Sequence, residues 1–233
     1  MSRKVNDTIA AFAAISTILL VVTSGESLVS GLRGSRLAPV FYALSWPNTI
    51  AFNLSVGYLS SVFFWILVVY LPERSRRRLL RETLARRYTE FKREIVQIFI
   101  WASGEGRDVQ FVEDLAIDHV QFKEYFGSRN DRWYAVLNGI QSSELRMHEL
   151  SLAMKIFANE VAYLLNNVSI DDPVIHRVLK QLNESIIRQT ELGGDLHDRV
   201  KSVGNFLWTI LARWNFVEGQ AEDDIIEKII ERI

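Results

Sequence analysis

Histidine is the side chain best suited to metal ligation and to proton transfer near neutral pH, and this chain has four: His119, His148, His176 and His197. The acids nearest to them form two clusters, Asp114, Asp118 and His119, then Asp195, His197 and Asp198. A di-iron bundle requires Glu-x-x-His on facing helices, because that spacing points both ligands inward from one face. The sequence contains no Glu-x-x-His. In the first cluster the acids stand i,i+4 with an imidazole beside one of them. In the second the residues alternate and do not share a helix face. Both read as helix termini at the surface rather than as a metal site. With no cysteine in the chain, thiolate catalysis, disulfides and Cys-based zinc sites are excluded.

Phosphate-binding loops are missing too. No G-x-x-x-x-G-K-[ST] occurs, and Gly104-Glu105-Gly106 lacks the strand and the third glycine of a dinucleotide fingerprint. Ser151 and Lys155 resemble a Ser-x-x-Lys nucleophile pair but stand one residue too far apart, and no sharp turn frames any serine as a nucleophile elbow requires. The expectation is a protein with no catalytic, cofactor-binding or metal-ligating residues, and so not an enzyme.

The elements that carry these residues are organised around one junction. The uncharged run TIAFNLSVGYLSSVFFWILVVYL ends at Pro72 and gives way to ERSRRRLLRETLARR. With Asn48 as its cap, the run over 48–71 is long enough to cross a hydrocarbon core of about 30 Å with some tilt. Thr8 to Gly25 is also uncharged and close to the minimum length, so a first span is expected over about 8–25. A cleaved leader is the alternative, but no clear A-x-A site follows the apolar stretch. The connection 26–47 holds Gly31, Gly34, Pro39 and Pro47, and its segment LAPVFYALSW is apolar yet too short to cross. It reads as an interfacial or re-entrant piece with Tyr42 and Trp46 at headgroup level.

Orientation follows from the positive-inside rule. Arg74, Arg76, Arg77, Arg78, Arg81, Arg86 and Arg87 outnumber Arg33 and Arg36 of the connection, so both termini are expected in the cytoplasm of a prokaryotic cell and the connection outside it. From Glu73 to Glu94 nine Lys/Arg face four Asp/Glu, about +5, whereas residues 95–233 carry fourteen against twenty-two, about −8. A basic collar beside a span suits anionic lipid headgroups, and no nucleic acid is expected. Within the spans, Ala10 and Ala14 on one and Asn53, Gly57 and Ser60 on the other form small or polar faces. They suit packing against the other span or against a second copy, or else the wall of a water-filled path.

Beyond Pro72 the apolar residues recur at helical spacing. One stripe is Leu80, Leu84, Tyr88, Phe91, Ile95 and Ile98, in a basic juxtamembrane helix over 73–102. Further helices are expected from Asp108 to Phe126, from Asp131 to Asn166 with Gly139 and Ser142-Ser143 as points of kinking or splitting, from Asp172-Pro173 to Gly193-Gly194, and from Asp195 to Trp214. A short amphipathic helix over 221–233 is too apolar to leave in water. The expected architecture is all-α: a membrane anchor over 1–71 with two transmembrane helices, then a cytoplasmic antiparallel bundle of about five helices over 72–233.

Aromatic anchors dominate binding hot spots, which singles out Trp133, Tyr134, Trp214 and Phe216 as candidate partner contacts, with core filling as the alternative. The function that fits is a membrane-tethered adaptor or sensor of the inner membrane. It would bind a protein partner or self-associate as a homo-oligomer through its bundle. The alternative is an oligomeric channel-forming or membrane-permeabilising effector gated by the bundle.

Overall fold

The first N–H groups of a helix have no acceptor within it, and side chains supply one at seven helix starts: Asn48, Asp108, Asp118, Ser143, Asp172, Asp195 and Asp224. The computed structural model describes residues 3–23, 46, 48–106, 108–127, 130–191, 193–215, 219–220 and 224–233. It divides into two compact units, Met1–Arg76 and Arg77–Ile233. It is helical apart from one pair of two-residue strands near the C-terminus.

In the first unit α1 (Arg3–Thr23) packs antiparallel to α2 (Thr49–Trp65). The Trp46 N–H donates to Val22 O at 3.1 Å at one end, and the Tyr58 hydroxyl donates to Ile9 O at 3.4 Å towards the other. Thr23 and Ser55 are buried in the seam, and the Phe12 and Tyr58 rings meet at 6.4 Å. Beyond Tyr58, Ile9 and Ala13 face Val62 and Trp65 across an apolar cavity of about 270 Å³.

A helical break at Pro72 was expected, and the chain makes none. The helix runs without interruption over Thr49–Ala102, 54 residues. A proline in a helix interior lacks an N–H and drives its ring against the carbonyl four residues back. Here the turn before it, Ile66–Tyr70, is a π-helix, and the Leu71 N–H reaches Ile66 O, five residues back. The wider turn draws that carbonyl layer away from the ring, so Pro72 is carried inside α3 (Leu71–Ala102). This is the only helix among the described residues long and apolar enough to cross a membrane; its most apolar 18-residue window has mean hydropathy 2.0 and is 6% buried. The apolar part of α1, Asp7–Thr23, falls short of that length, so the structure supports one candidate span where two were expected. The connection 26–47, Trp46 excepted, lies outside the described residues.

In the second unit the expected stripes are the core. Leu84, Tyr88, Phe91, Ile95 and Phe99 of α3 meet Met147, Leu150, Met154, Phe157, Val161 and Leu164 of α7 (Glu144–Asn167), all 2% exposed or less. The Phe91 and Phe157 rings stack at 4.8 Å. Alongside lie α8 (Pro173–Thr190), burying Ile175, Leu179 and Ile186, and α9 (Leu196–Leu211), burying Val200, Val203 and Leu207.

Two expected helices are each divided. The segment from Asp108 forms α4 (Val109–Ile117) and α5 (His119–Gly127), with Asp118 extended at φ −100°, ψ 105° and its carboxylate accepting from Val120 N at 2.8 Å and Gln121 N at 3.3 Å. The segment from Asp131 divides at Ser142-Ser143 into α6 (Asn130–Gln141) and α7, where Ser143 caps the second piece. The bundle therefore has seven described helices before the C-terminal one, against about five expected. The Asp195 helix stops at Leu211 rather than Trp214: Arg213 takes φ +51°, and Trp214–Asn215 pairs antiparallel with Gly219–Gln220. The C-terminal helix α10 (Ile225–Glu231) docks on this unit, with Ile229 and Ile230 buried.

Candidate functional site

Three surfaces were expected to matter, and the structure reveals a fourth cluster. The basic collar lies along α3. Arg74, Arg76, Arg78 and Arg86 are exposed, while Arg77, Arg81 and Arg87 are half-buried. Several of these charges already have acids. Arg78 Nε donates to Glu82 at 2.8 Å, Arg87 Nη1 to Glu90 at 2.8 Å, and Arg77 Nη1 to Asp171 at 3.4 Å. The hydrogen bond and charge of Arg78 hold the Glu82 carboxyl below its usual range, but both groups are solvated and such pairs add little stability. The collar is therefore basic in composition and partly neutralised in place.

On the hairpin, Asn53, Gly57 and Ser60 are exposed, and a Cβ built on Gly57 would meet nothing within 4 Å. The packing face against α1 is the neighbouring one, built on Ser55, Tyr58 and Val62. Asn53, Gly57 and Ser60 thus do not pack against the first helix in this chain. Tyr58 and Val62 give that arc the larger side chains, and their van der Waals contact with α1 favours it over the small face. Ala10 and Ala14 are exposed as well, Ala10 at the rim of the small apolar cavity.

Of the aromatic candidates, Trp133 is half-buried and packs against the core. Its ring lies 4.7 Å from Trp208, 5.3 Å from Phe99 and 6.3 Å from Phe126. Gly127 lets Trp208 approach: a Cβ there would stand 3.1 Å from the indole. Tyr134 is 61% exposed and stays available as a contact. The side chain of Trp214 and the whole of Phe216 lie outside the described residues.

The fourth cluster joins α3 to α10. Lys92 and Asp224 are 5% and 7% exposed, with Nζ 3.3 Å from Asp224 Oδ2 and 2.6 Å from Glu227 Oε1. The Tyr88 hydroxyl donates to both Asp224 oxygens at 3.2 and 3.0 Å, and Nζ sits 4.7 Å from the Tyr88 ring centroid. The same carboxylate caps α10, accepting from Ile226 N at 3.0 Å and Glu227 N at 3.2 Å. Asp224 is thus saturated by a phenol, an ammonium and two amides, which is the condition under which a buried charge is tolerated. A signal for this cluster existed. Tyr88, Lys92 and Ile95 stand at i, i+4, i+7, so a lysine occupies the apolar stripe, and such a lysine needs a buried acid.

Burial first, then the Asp224 charge and hydrogen bond, push the Tyr88 phenol well above the ordinary value of 10. The folded chain keeps this proton where the unfolded chain releases it. The stabilisation is therefore complete below the ordinary value and is lost as pH rises past it. Unfolding midpoints measured from about pH 9 to about pH 11 are expected to fall more steeply for the native chain than for Tyr88→Phe; equal slopes would refute the assignment.

His119 begins α5 and is pushed below its usual value, chiefly by burial and then by Arg213. His197 Nδ1 lies 3.1 Å from Gln141 Oε1. No three His, Asp or Glu side chains among the described residues converge on a point that could hold a metal ion. Compared with known proteins, the chain matches no family model, no curated relative and no solved structure.

Proposed function

We propose that the chain is a membrane-tethered helical adaptor or sensor, anchored in the inner membrane of a prokaryote. It presents its bundle to the cytoplasm for a protein partner or for a second copy of itself. The observation that carries this reading is the single helix Thr49–Ala102, whose exposed apolar stretch, with Phe63, Phe64 and Val68 58–70% exposed, passes directly into the arginine-rich collar. Such a stretch is costly in water and at home in lipid, and arginines at its end favour the cytoplasmic side. In this reading α1 crosses as well, its predominantly apolar stretch Asp7–Thr23 spanning about 26 Å with the membrane thinned locally, so that both termini are cytoplasmic. A reporter fused after Ile233 is expected to be active only in the cytoplasm, and activity outside it would overturn the arrangement.

A second reading, an oligomeric channel-forming effector, is favoured by the exposed small and polar face of Asn53, Gly57 and Ser60. Helices in lipid associate through such faces. The two readings part on one measurement: depolarisation of expressing cells that Gly57→Leu abolishes while insertion persists belongs to the second reading only.

A further inference from the structure

A groove of about 850 Å³ opens in the bundle between α7, the end of α8 and the start of α9. That is the size of a small-molecule site. Its wall carries two permanent cations, Lys155 and Arg199, with His148 and the Ser151 hydroxyl beside them, against one carboxylate, Glu144. Glu144, His148, Ser151 and Lys155 lie on one face of α7, and Arg199 lies in the first turn of α9, where the helix dipole adds positive potential. Arg199 Nε is closed off from solvent and has no hydrogen-bond partner. A ligand in the open groove cannot reach an N–H that is closed to water, so Arg199 would meet it through its remaining guanidinium N–H groups. Elsewhere in the unit the buried cation Lys92 is answered by two acids of the chain, whereas Lys155 and Arg199 make no ion pair among the described residues.

We propose that this groove binds a small phosphate-bearing molecule, with Arg199 and Lys155 holding the phosphate oxygens and Ser151 donating a further hydrogen bond. Planar guanidinium and ammonium donors with a hydroxyl are the groups that recognise phosphate. The site is independent of the adaptor reading, and it gives the bundle a place to take up a chemical signal. The same chemistry is found in soluble phosphates and in lipid phosphate headgroups, and the test separates them.

Full-length protein in neutral detergent is titrated with inorganic phosphate against potassium chloride of equal ionic strength, and in parallel with micelles containing phosphatidic acid, following thermal unfolding. The expected result is a saturable rise in the unfolding midpoint with inorganic phosphate, and an apparent affinity weakened about tenfold or more in Arg199→Gln and in Lys155→Gln. Lys155 is exposed, so its variant keeps the fold even where Arg199→Gln does not. A rise with phosphatidic acid alone, lost in both variants, identifies the lipid headgroup as the source of the phosphate and upholds the site. No rise beyond chloride with either probe, or a rise undiminished in Lys155→Gln, overturns the proposal.

Discussion

Lys92→Met is expected to destabilise the helical bundle by about 3 kcal/mol, measured by denaturant unfolding of the full chain in detergent. Removing one partner of a buried pair costs about 3–5 kcal/mol, because the other charge is left in a poor solvent. The lower end applies because Asp224 keeps the Tyr88 hydroxyl and two α10 amides after the ammonium is gone. The interaction can be isolated with a second change. Asp224→Asn retains an oxygen to cap α10 and removes the negative charge, so the double variant should cost less than the sum of the two singles by about 1–3 kcal/mol. Strict additivity would show that Lys92 and Asp224 are neighbours without being partners. In both single variants α10 is the element expected to detach first, because its seven residues bury little else that is polar and satisfied.

Gly139→Ala should be at least as severe, a loss of about 3 kcal/mol or more in the same measurement. A Cβ at that position would stand 1.9 Å from Ala102 O and 2.7 Å from Ala102 C, and both are backbone atoms. The C-terminal ends of α3 and α6 touch main chain to main chain, so no rotamer change can relieve the overlap. The Gly139 carbonyl is also engaged, accepting from Arg146 Nη1 at 2.9 Å and from the Ser142 hydroxyl at 2.9 Å. Gly204 serves as the control. Its added Cβ overlaps only the terminal Cδ2 of Leu137, at 2.6 Å, with the Trp133 ring in ordinary contact at 3.7 Å; the Leu137 methyl can rotate away, so Gly204→Ala should cost well under half as much. Comparable losses at the two positions would mean that helix propensity or general crowding governs both.

Helical periodicity made the interior of the bundle readable. Leu84, Tyr88, Phe91 and Ile95, and the run from Met147 to Leu164, announce their buried face because 3.6-residue spacing leaves no other arc for them. Element ends were readable where they use glycine or an N-cap, as at Gly104, which takes φ +79°, and at Asp172-Pro173. Asp118 reads in the sequence as part of a surface helix terminus, yet the helix expected from Asp108 to Phe126 runs through it, because no breaker accompanies it: a carboxylate that caps the next turn is a joint only once the backbone has turned. Pro72 misled in the opposite sense, since its expected break is absorbed by the hydrogen-bond register of the turn before it, and no side chain marks a π turn. The face used by α2 was unreadable because two of its arcs carry small residues, and only the shape of α1 selects between them. The Lys92 cluster depends on residues 132 positions apart, and a lysine in an apolar stripe says that an acid is needed without saying which.

The Trp133–Trp208 contact gives the bundle an optical signature. Two indoles whose centroids are 4.7 Å apart and whose planes are inclined at 59° have transition dipoles that couple rather than absorb independently. Such a pair produces an exciton couplet in circular dichroism whose amplitude weakens as the two rings separate or turn. Since Trp133 sits on α6 and Trp208 on α9, the couplet reports the distance between those two helices directly. Native protein in its own lipid can be followed this way with no label attached.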